Sequence, residues 1–303
     1  MSGPTSVDTV EGKIEFLGQA GVRLELGPMV VYIDPYLTEF VFEREGESDL
    51  RRQTPAPIEP RAIRDADFVL VSHIHMDHCD PTTLAPLAAA SPRATIVCPH
   101  DCAPMLIEAG VSAERIVIAR EGRMRLRQGQ GRREDCGLGL ERAAAPESGS
   151  GSEPRLELEL ELDVVPAAHP EVVRDKDGHL SFVGYILNFA GRRYYHAGDT
   201  SPHSELIDAV RVGGPIDVAM LPVNERNFFR ERRGIIGNMT IREAFHLAEE
   251  IEAKEMIPIH WDMFLPNLAY PEEIDLLYRL IRPSFRLRFM APEAKISGSR
   301  RNE

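Results

Sequence analysis

The sequence predicts an α/β fold in which β-sheets are covered by helices. Three short β-rich runs open the chain, at residues 14–17, 22–26 and 29–33, and glycine-containing turns separate them. Alternation of strands and helices then appears twice, once in each half of the chain. Strands that precede such alternation are typical of domains with sheets inside and helices outside.

In the first half, the run at residues 68–72 is mostly apolar and does not alternate, which predicts a fully buried strand. The sequence predicts helices at 82–90 and 101–109, and strands at 95–98 and 115–118. These four elements follow one another closely, as expected for strands that are joined by helical crossovers.

In the second half, a hairpin is predicted across the Ala190-Gly191 turn. The last predicted helix begins at Pro271, where a missing backbone N–H group costs nothing. The predicted strands of this half are 182–188, 192–196, 216–221 and 256–259, and the predicted helices are 204–210, 241–253 and 271–281.

Residues 128–154 interrupt the pattern, because they are rich in glycine, serine, arginine and glutamate and carry almost no large apolar residue. We expect a mobile insertion there, within a single domain that spans residues 1–303. Strict alternation from Leu156 predicts a strand with one solvated face. The basic tract 123–133 is interpreted as a solvated loop, with contact to an anion as the alternative.

The composition limits the class of protein. The 303 residues include 48 acidic and 35 basic ones, a formal net charge of −13, which argues against binding to the phosphate backbone of nucleic acids. No apolar run is long enough for a membrane helix, and no secretion signal is recognisable. Four cysteines do not make a disulfide framework. We therefore expect a soluble cytoplasmic protein with no nucleic-acid or membrane partner.

The segment 73–78 carries three histidines and an aspartate directly after the predicted buried strand. His73 and His75 can point the same way, while Asp77 and His78 can turn towards a second point. Imidazole nitrogens and carboxylate oxygens are ligands of divalent transition metals. The alternative is a histidine-rich surface loop, and four ligand-type residues within six positions argue against it.

Three further ligand-type residues follow predicted strands, namely His169, Asp199 and His260. Open sheets assemble their sites at the carboxyl ends of strands, so we expect these side chains to join the segment 73–78. A lone histidine is usually structural. Two divalent ions need more than four ligands, however, and this shortfall supports a ligand role for the three residues.

This ordered set of motifs resembles the metallo-β-lactamase superfamily, over about residues 13–292. The resemblance implies a four-layer αββα sandwich with two divalent ions in the groove between its sheets. One ion would bind His73, His75 and His169, and the other would bind Asp77, His78 and His260. Asp199 would bridge both ions, and Asp34 would orient a ligand.

The histidine-rich ligand set suits zinc, while the two carboxylates also permit manganese or iron. The resemblance further favours a homo-oligomer. β-Lactam hydrolysis and oxygen reduction match poorly. Asp199 stands where the secreted β-lactamases have a cysteine ligand, and His75 stands where the oxygen reductases have glutamate.

The second half is similar to the L-ascorbate-6-phosphate lactonase branch of the superfamily. The similarity lies in the runs 222–227, 237–240 and 257–262, with Trp261 where that lactonase tends to have a second histidine. It implies that a hydroxide between two metals opens a small lactone, with Asp77 and Asp199 as the catalytic candidates.

The predicted substrate is a small phosphorylated or carboxylated lactone, such as a sugar lactone, because arginines are frequent in the run 226–233 and guanidinium groups bind oxyanions. A solvated or subunit-facing loop explains these arginines equally well. The residues predicted to contact the substrate are Asn224, Arg226, Arg233, Trp261 and Asp262. A metal-dependent phosphodiesterase and a non-enzymatic metal-binding protein are the alternatives, and the intact ligand set argues against the second.

Overall fold

Two β-sheets form the centre of the computed structural model, which describes residues 12–128 and 158–292. Within each sheet the strands lie in chain order, so that each strand pairs with its predecessor. The first sheet contains β1 (Lys13–Gly18), β2 (Gly21–Leu26), β3 (Met29–Ile33), β4 (Phe68–Leu70), β5 (Thr95–Cys98) and β6 (Ile116–Ile118). The second sheet contains β7 (Gly122–Arg127), β8 (Glu159–Pro166), β9 (Val183–Phe189), β10 (Arg192–His196), β11 (Val218–Pro222), β12 (Glu255–Ile259) and β13 (Arg286–Leu287).

Both sheets begin with antiparallel strands and continue with parallel ones. In the first sheet β1 to β3 are antiparallel and β3 to β6 are parallel. In the second sheet β7 to β10 are antiparallel and β10 to β13 are parallel. This order explains why short strands precede strand-helix alternation in each half, because parallel neighbours need a crossover connection.

The helices lie in the connections between strands. Thr240 and Glu243 form a reciprocal capping box at the start of the helix that precedes β12. The α-helices are α1 (Phe40–Glu45), α2 (Pro81–Ala90), α3 (Cys102–Glu108), α4 (Ser204–Arg211), α5 (Phe228–Glu231), α6 (Ile241–Glu250) and α7 (Pro271–Ile281). Single turns of 3₁₀ helix occur at Ser48–Leu50, Pro60–Ala62, Ala113–Arg115 and Leu265–Asn267.

Three apolar cores separate four layers. The central core joins inward-facing residues of both sheets, such as Leu24 and Leu162. A second core packs α2 and α3 on the outer face of the first sheet, and a third packs α4, α6 and α7 on the outer face of the second. The predicted αββα sandwich is therefore confirmed. No helix among the described residues has the length and apolar character needed to cross a bilayer.

The interpretation of the basic tract 123–133 as a solvated loop is wrong for its first residues, which form strand β7. Arg123, Arg125 and Arg127 point outward and face Asp163, Glu161 and Glu159 on β8. Met124 and Leu126 point towards the central core. Apart from Gln128, the insertion expected at 128–154 lies outside the described residues.

A buried ion network ties the first sheet to the segment ahead of β4. The Arg23 side chain on β2 is 1% exposed, and its Nη2 lies 2.6 Å from Asp65 Oδ2. Its Nε donates to the Tyr32 hydroxyl at 3.1 Å, and its Nη1 pairs with Glu15. The Tyr32 hydroxyl in turn donates to Asp65 Oδ1 at 3.0 Å. Asp65 depends on this guanidinium for compensation, whereas Glu15 also pairs with Lys13.

We expect Arg23→Met to lower the free energy of unfolding by about 3–5 kcal/mol, because Asp65 would remain buried without its counter-charge. Urea denaturation followed by circular dichroism measures this change. Arg125→Met is the matched control, since Arg125 is 67% exposed and its surface pair should contribute less than about 1 kcal/mol. Equal losses in the two variants would contradict the assignment.

Candidate metal centre

The segment between β4 and α2 folds back on itself at His75. The backbone N–H groups of His78 and Cys79 both donate to the His75 carbonyl oxygen, at 3.0 and 2.8 Å. This turn places the buried rings of His73 and His78 side by side, with centroids 4.0 Å apart. Asp80 then caps α2 by accepting a hydrogen bond from the Thr82 N–H group, which fixes the end of the segment.

The strand ends bring three more ligand-type side chains to this segment. His169 lies beyond β8, Asp199 beyond β10, and His260 directly after β12. Three overlapping groups result, and within each group the ligand atoms lie within 4.8 Å of one another. The groups are His73, His78 and Asp199; His75, His169 and Asp199; and Asp77, His78 and His260. The structure thus brings all seven predicted metal ligands into one cluster.

Asp199 is the residue that connects the two sides of the cluster. Its Oδ1 lies 3.3 Å from His78 Nε2 and 3.3 Å from His260 Nε2. Its Oδ2 faces the other way and lies 3.8 Å from His169 Nε2. On the first side, His260 Nε2 is also 3.3 Å from Asp77 Oδ2. One carboxylate therefore presents one oxygen to each side.

Several converging atoms of the cluster lack a hydrogen-bond partner. They include His73 Nε2, His78 Nε2 and Asp199 Oδ1, all of which are buried. Buried polar atoms are normally hydrogen-bonded, and unpaired ones that point at one another need another explanation. Imidazole nitrogens and carboxylate oxygens at these separations are suited to bind divalent metal ions. The side chains of the cluster therefore fit such ions.

The charges of the cluster reinforce one another. Burial tends to raise the pKa of Asp199, but the neighbouring His260 and His78 outweigh it and hold that pKa well below the usual value. Burial likewise tends to lower the pKa of His260, but Asp199 and Asp77 outweigh it and raise it to about 9. The Asp199 carboxylate is therefore ionised at neutral pH, as a carboxylate that binds a metal must be.

Asp34, for which the resemblance implies an orienting role, contacts His78 on the side of the ring away from Asp199. Its Oδ2 lies 2.8 Å from His78 Nδ1, and its two oxygens also accept hydrogen bonds from the Ser72 N–H and hydroxyl groups. This contact assigns the proton to Nδ1 and turns Nε2 of His78 towards Asp199. The carboxylate is completely buried, so its contacts are shielded from water.

Gln19, in the turn between β1 and β2, is a residue of the centre that no motif in the sequence identifies. Its side-chain Nε2 lies 2.6 Å from Asp77 Oδ2 and 3.1 Å from His260 Nε2. Its backbone carbonyl accepts a hydrogen bond from the His260 N–H group at 2.6 Å. The glycines on either side of the Gln19-Ala20 pair mark a tight turn, and that was the only signal in the sequence.

The cluster of predicted metal ligands forms one wall of a cavity of about 430 Å³. Five of the seven predicted ligands line it, namely His75, Asp77, His169, Asp199 and His260. Apolar side chains from α1, the segment 73–78 and the loop after β12 line much of the remainder. A cavity of this size accommodates a small organic molecule next to the cluster.

Of the five residues predicted to contact a substrate, Arg233 alone lines this cavity. Asn224 is buried behind it and accepts a hydrogen bond from the Asn238 side chain at 3.0 Å. Arg226 is exposed to solvent, and the Trp261 ring packs against the core outside the second sheet. Asp262 accepts a hydrogen bond from the Gln19 N–H group at 2.9 Å and so supports the turn.

A family model for the β-lactamase superfamily domain matches residues 30–261, which include the segment 73–78 and the three ligand-type strand ends. The chain belongs to this superfamily. The membership predicted from the spaced motifs is therefore confirmed. Igni18, a metallo hydrolase from Ignicoccus hospitalis, has the same fold, with a TM-score of 0.61 at 18% identity over 93% of this chain and 95% of that one.

The relatives that are similar in sequence include proteins of two descriptions. A UPF0173 metal-dependent hydrolase of Pyrococcus abyssi is 26% identical over 269 residues, which cover 88% of this chain and 91% of that protein. A Salmonella heidelberg protein described as a probable L-ascorbate-6-phosphate lactonase, UlaG, is 26% identical over 231 residues. That match covers 76% of this chain and 58% of the lactonase.

We expect Asp34→Ala to weaken metal binding about 10- to 100-fold, because His78 would lose the contact that fixes its ring. Competition with a fluorescent chelator measures the affinity. Asp67→Ala is the control, since Asp67 is equally buried and accepts a hydrogen bond from the Val30 N–H group away from the cluster. Unchanged metal affinity in Asp34→Ala would show that this carboxylate does not orient the ligand.

Proposed function

We propose that the chain is a metal-dependent hydrolase that opens a small lactone or a related carboxylic ester. The observation that carries this proposal is the position of Asp199, whose oxygens face both sides of a ligand cluster on a cavity wall. The relative described as a metal-dependent hydrolase supports the hydrolase class. The relative described as a probable lactonase supports a lactone carbonyl as the point of attack.

Two divalent ions are part of the proposal. We assign Asp199 to both ions, because each of its oxygens faces one side of the cluster. As the resemblance implies, the remaining ligands would be His73, His75 and His169 for one ion, and Asp77, His78 and His260 for the other. His73 also lies in one group with His78 and Asp199, so it stands between the two sides. Zinc suits the histidines, and manganese or iron suits the carboxylates. When bound, such ions acidify a water molecule and polarise a carbonyl oxygen.

The chain's own residues position this chemistry and handle its proton. Gln19 and His260 both contact Oδ2 of the Asp77 carboxylate, which fixes its orientation beside the cavity. Asp199 is buried and lies on the cavity wall, and we propose that one of its carboxylate oxygens accepts a proton from the attacking water. Buried apolar side chains such as Phe264 restrict the access of other water molecules.

Arg233 is the predicted anion-binding residue that reaches the cavity. Its guanidinium group pairs with Glu47 and with Asp49, the latter at 2.8 Å. A phosphorylated or carboxylated lactone would have to compete with these two carboxylates for the same group. The proposed class of reaction therefore does not depend on whether the substrate carries a negative charge.

The proposal predicts a metal-dependent lactonase. The protein is stripped with a chelator and restored with zinc or manganese, and ring opening of an unsubstituted γ-lactone is followed by pH-stat. We expect no turnover in the stripped protein and recovery with metal, because the ligand cluster is the reactive part of the cavity. Bis(p-nitrophenyl) phosphate, a generic phosphodiester, is assayed alongside.

Asp199→Asn tests the proton-accepting role in the same assay, with His179→Asn as a control outside the cluster. We expect a loss of about 10²- to 10⁴-fold in kcat for Asp199→Asn and none for His179→Asn. Turnover of the diester alone would assign the protein to the phosphodiesterases. Two bound metals without turnover of either compound would contradict the lactonase proposal, and full activity of a metal-loaded Asp199→Asn protein would contradict the role of Asp199.

A further inference from the structure

The cavity beside the metal cluster has a continuous apolar wall. Val41, Leu50, Met76 and Phe264 line the cavity and also belong to one apolar cluster of packed side chains. Val41 and Phe264 are almost completely buried, so this wall is a permanent surface of the fold. A substituent that extends from the cluster of predicted metal ligands in this direction contacts apolar side chains.

The charged residues that line the cavity fall into two sets. One set is the predicted metal ligands, and the other is three exposed residues, Glu45, Glu47 and Arg233. The predicted metal ligands are mostly buried, whereas these three residues are exposed. Glu45, Glu47 and Arg233 therefore lie at the solvent-exposed opening of the cavity. Asp49 adds a second carboxylate to the Arg233 guanidinium group. Two carboxylates, those of Glu47 and Asp49, therefore pair with this guanidinium group, and a third, that of Glu45, also lines the cavity.

This arrangement disfavours a second negative charge on the substrate. The side chains of Glu47, Asp49 and Arg233 are 55%, 34% and 38% exposed, so their ion pairs are weak and can rearrange. An anionic substituent that displaced the carboxylates from Arg233 would still lie among them, because their backbone positions do not change. Like charges at such short separations repel, and the repulsion rises as water is excluded.

We infer that the cavity selects uncharged lactones or esters with an apolar substituent, and that Glu47 and Asp49 determine this specificity by engaging Arg233. The inference rests on the proposed function, since it names the substrate class of the same site. The reacting carbonyl would lie beside the predicted metal ligands. The substituent would lie against the apolar wall formed by Val41, Leu50, Met76 and Phe264.

The first experiment compares two γ-butyrolactones of the same length with the metal-loaded protein. One carries a hexyl chain, and the other carries a chain of equal length that ends in a carboxylate. We expect kcat/KM to be at least about tenfold higher for the hexyl compound. In a series from methyl to hexyl, each added CH₂ group should raise kcat/KM by up to about fourfold until the wall is covered.

The second experiment removes the carboxylates from Arg233 in the double variant Glu47→Gln with Asp49→Asn. We expect the ratio of kcat/KM for the carboxylated lactone to kcat/KM for the hexyl lactone to rise about tenfold. The matched control is Glu272→Gln with Asp275→Asn on α7, which changes the net charge equally, outside the cavity lining. An equal gain in the control would assign the effect to net charge and overturn the inference.

The outcomes separate this inference from the proposed function. Faster opening of the carboxylated lactone by the unmodified protein would overturn the inference and leave the lactonase proposal intact. The same holds if the double variant does not change the ratio of the two kcat/KM values. Failure to open either compound with metals bound would overturn the proposed function, and the inference with it.

Discussion

The Asp199 carboxylate is the group on which the rest of the centre depends. It is buried, so its negative charge is costly unless positive or polar groups compensate it. Its oxygens have imidazole nitrogens as neighbours on both sides, and some of these buried atoms have no hydrogen-bond partner. Divalent ions are the simplest compensation for such a set of atoms, which links the fold to metal chemistry.

The backbone at this end of the sheets is strained in support of the centre. Gln19, Asp34 and His260 all have positive φ angles, of 59°, 45° and 60°, a region that side chains other than glycine rarely adopt. Each lies at the end of a strand, and each contacts the predicted metal ligands or is one of them. Strain of this kind persists where the surrounding structure enforces it, and it is frequent at functional sites.

Gly198 is a second place where the backbone is constrained near the centre, here by the lack of space for a side chain. A Cβ atom at this position would lie 2.7 Å from the Ser72 Cβ atom and 2.9 Å from the Val183 carbonyl oxygen. Only glycine allows the chain between His196 and Asp199 to pass this close to the segment after β4. The glycine before Asp199 thus permits a close approach of the two sheets.

The predictable features of the molecule were those encoded by local patterns. The strands β1 to β3 and the ordered ligand residues are recognisable because apolar runs and motif spacing lie within short segments. Strand β7 was missed because its partner β8 follows only after the segment 128–154, although alternation of arginine with Met124 and Leu126 was present. The pairing of Arg233 with Glu47 and Asp49 joins residues that are 186 and 184 positions apart, which no local pattern reveals.

Metal stoichiometry tests the central claim most directly. Elemental analysis of the dialysed protein should give two divalent ions per chain, because Asp199 presents one oxygen to each side of the cluster. His169→Ala and Asp77→Ala should each retain about one ion, since they alter opposite sides. A single ion in the unmodified protein, or loss of both ions in each variant, would contradict a centre in which Asp199 connects two separate metal sites.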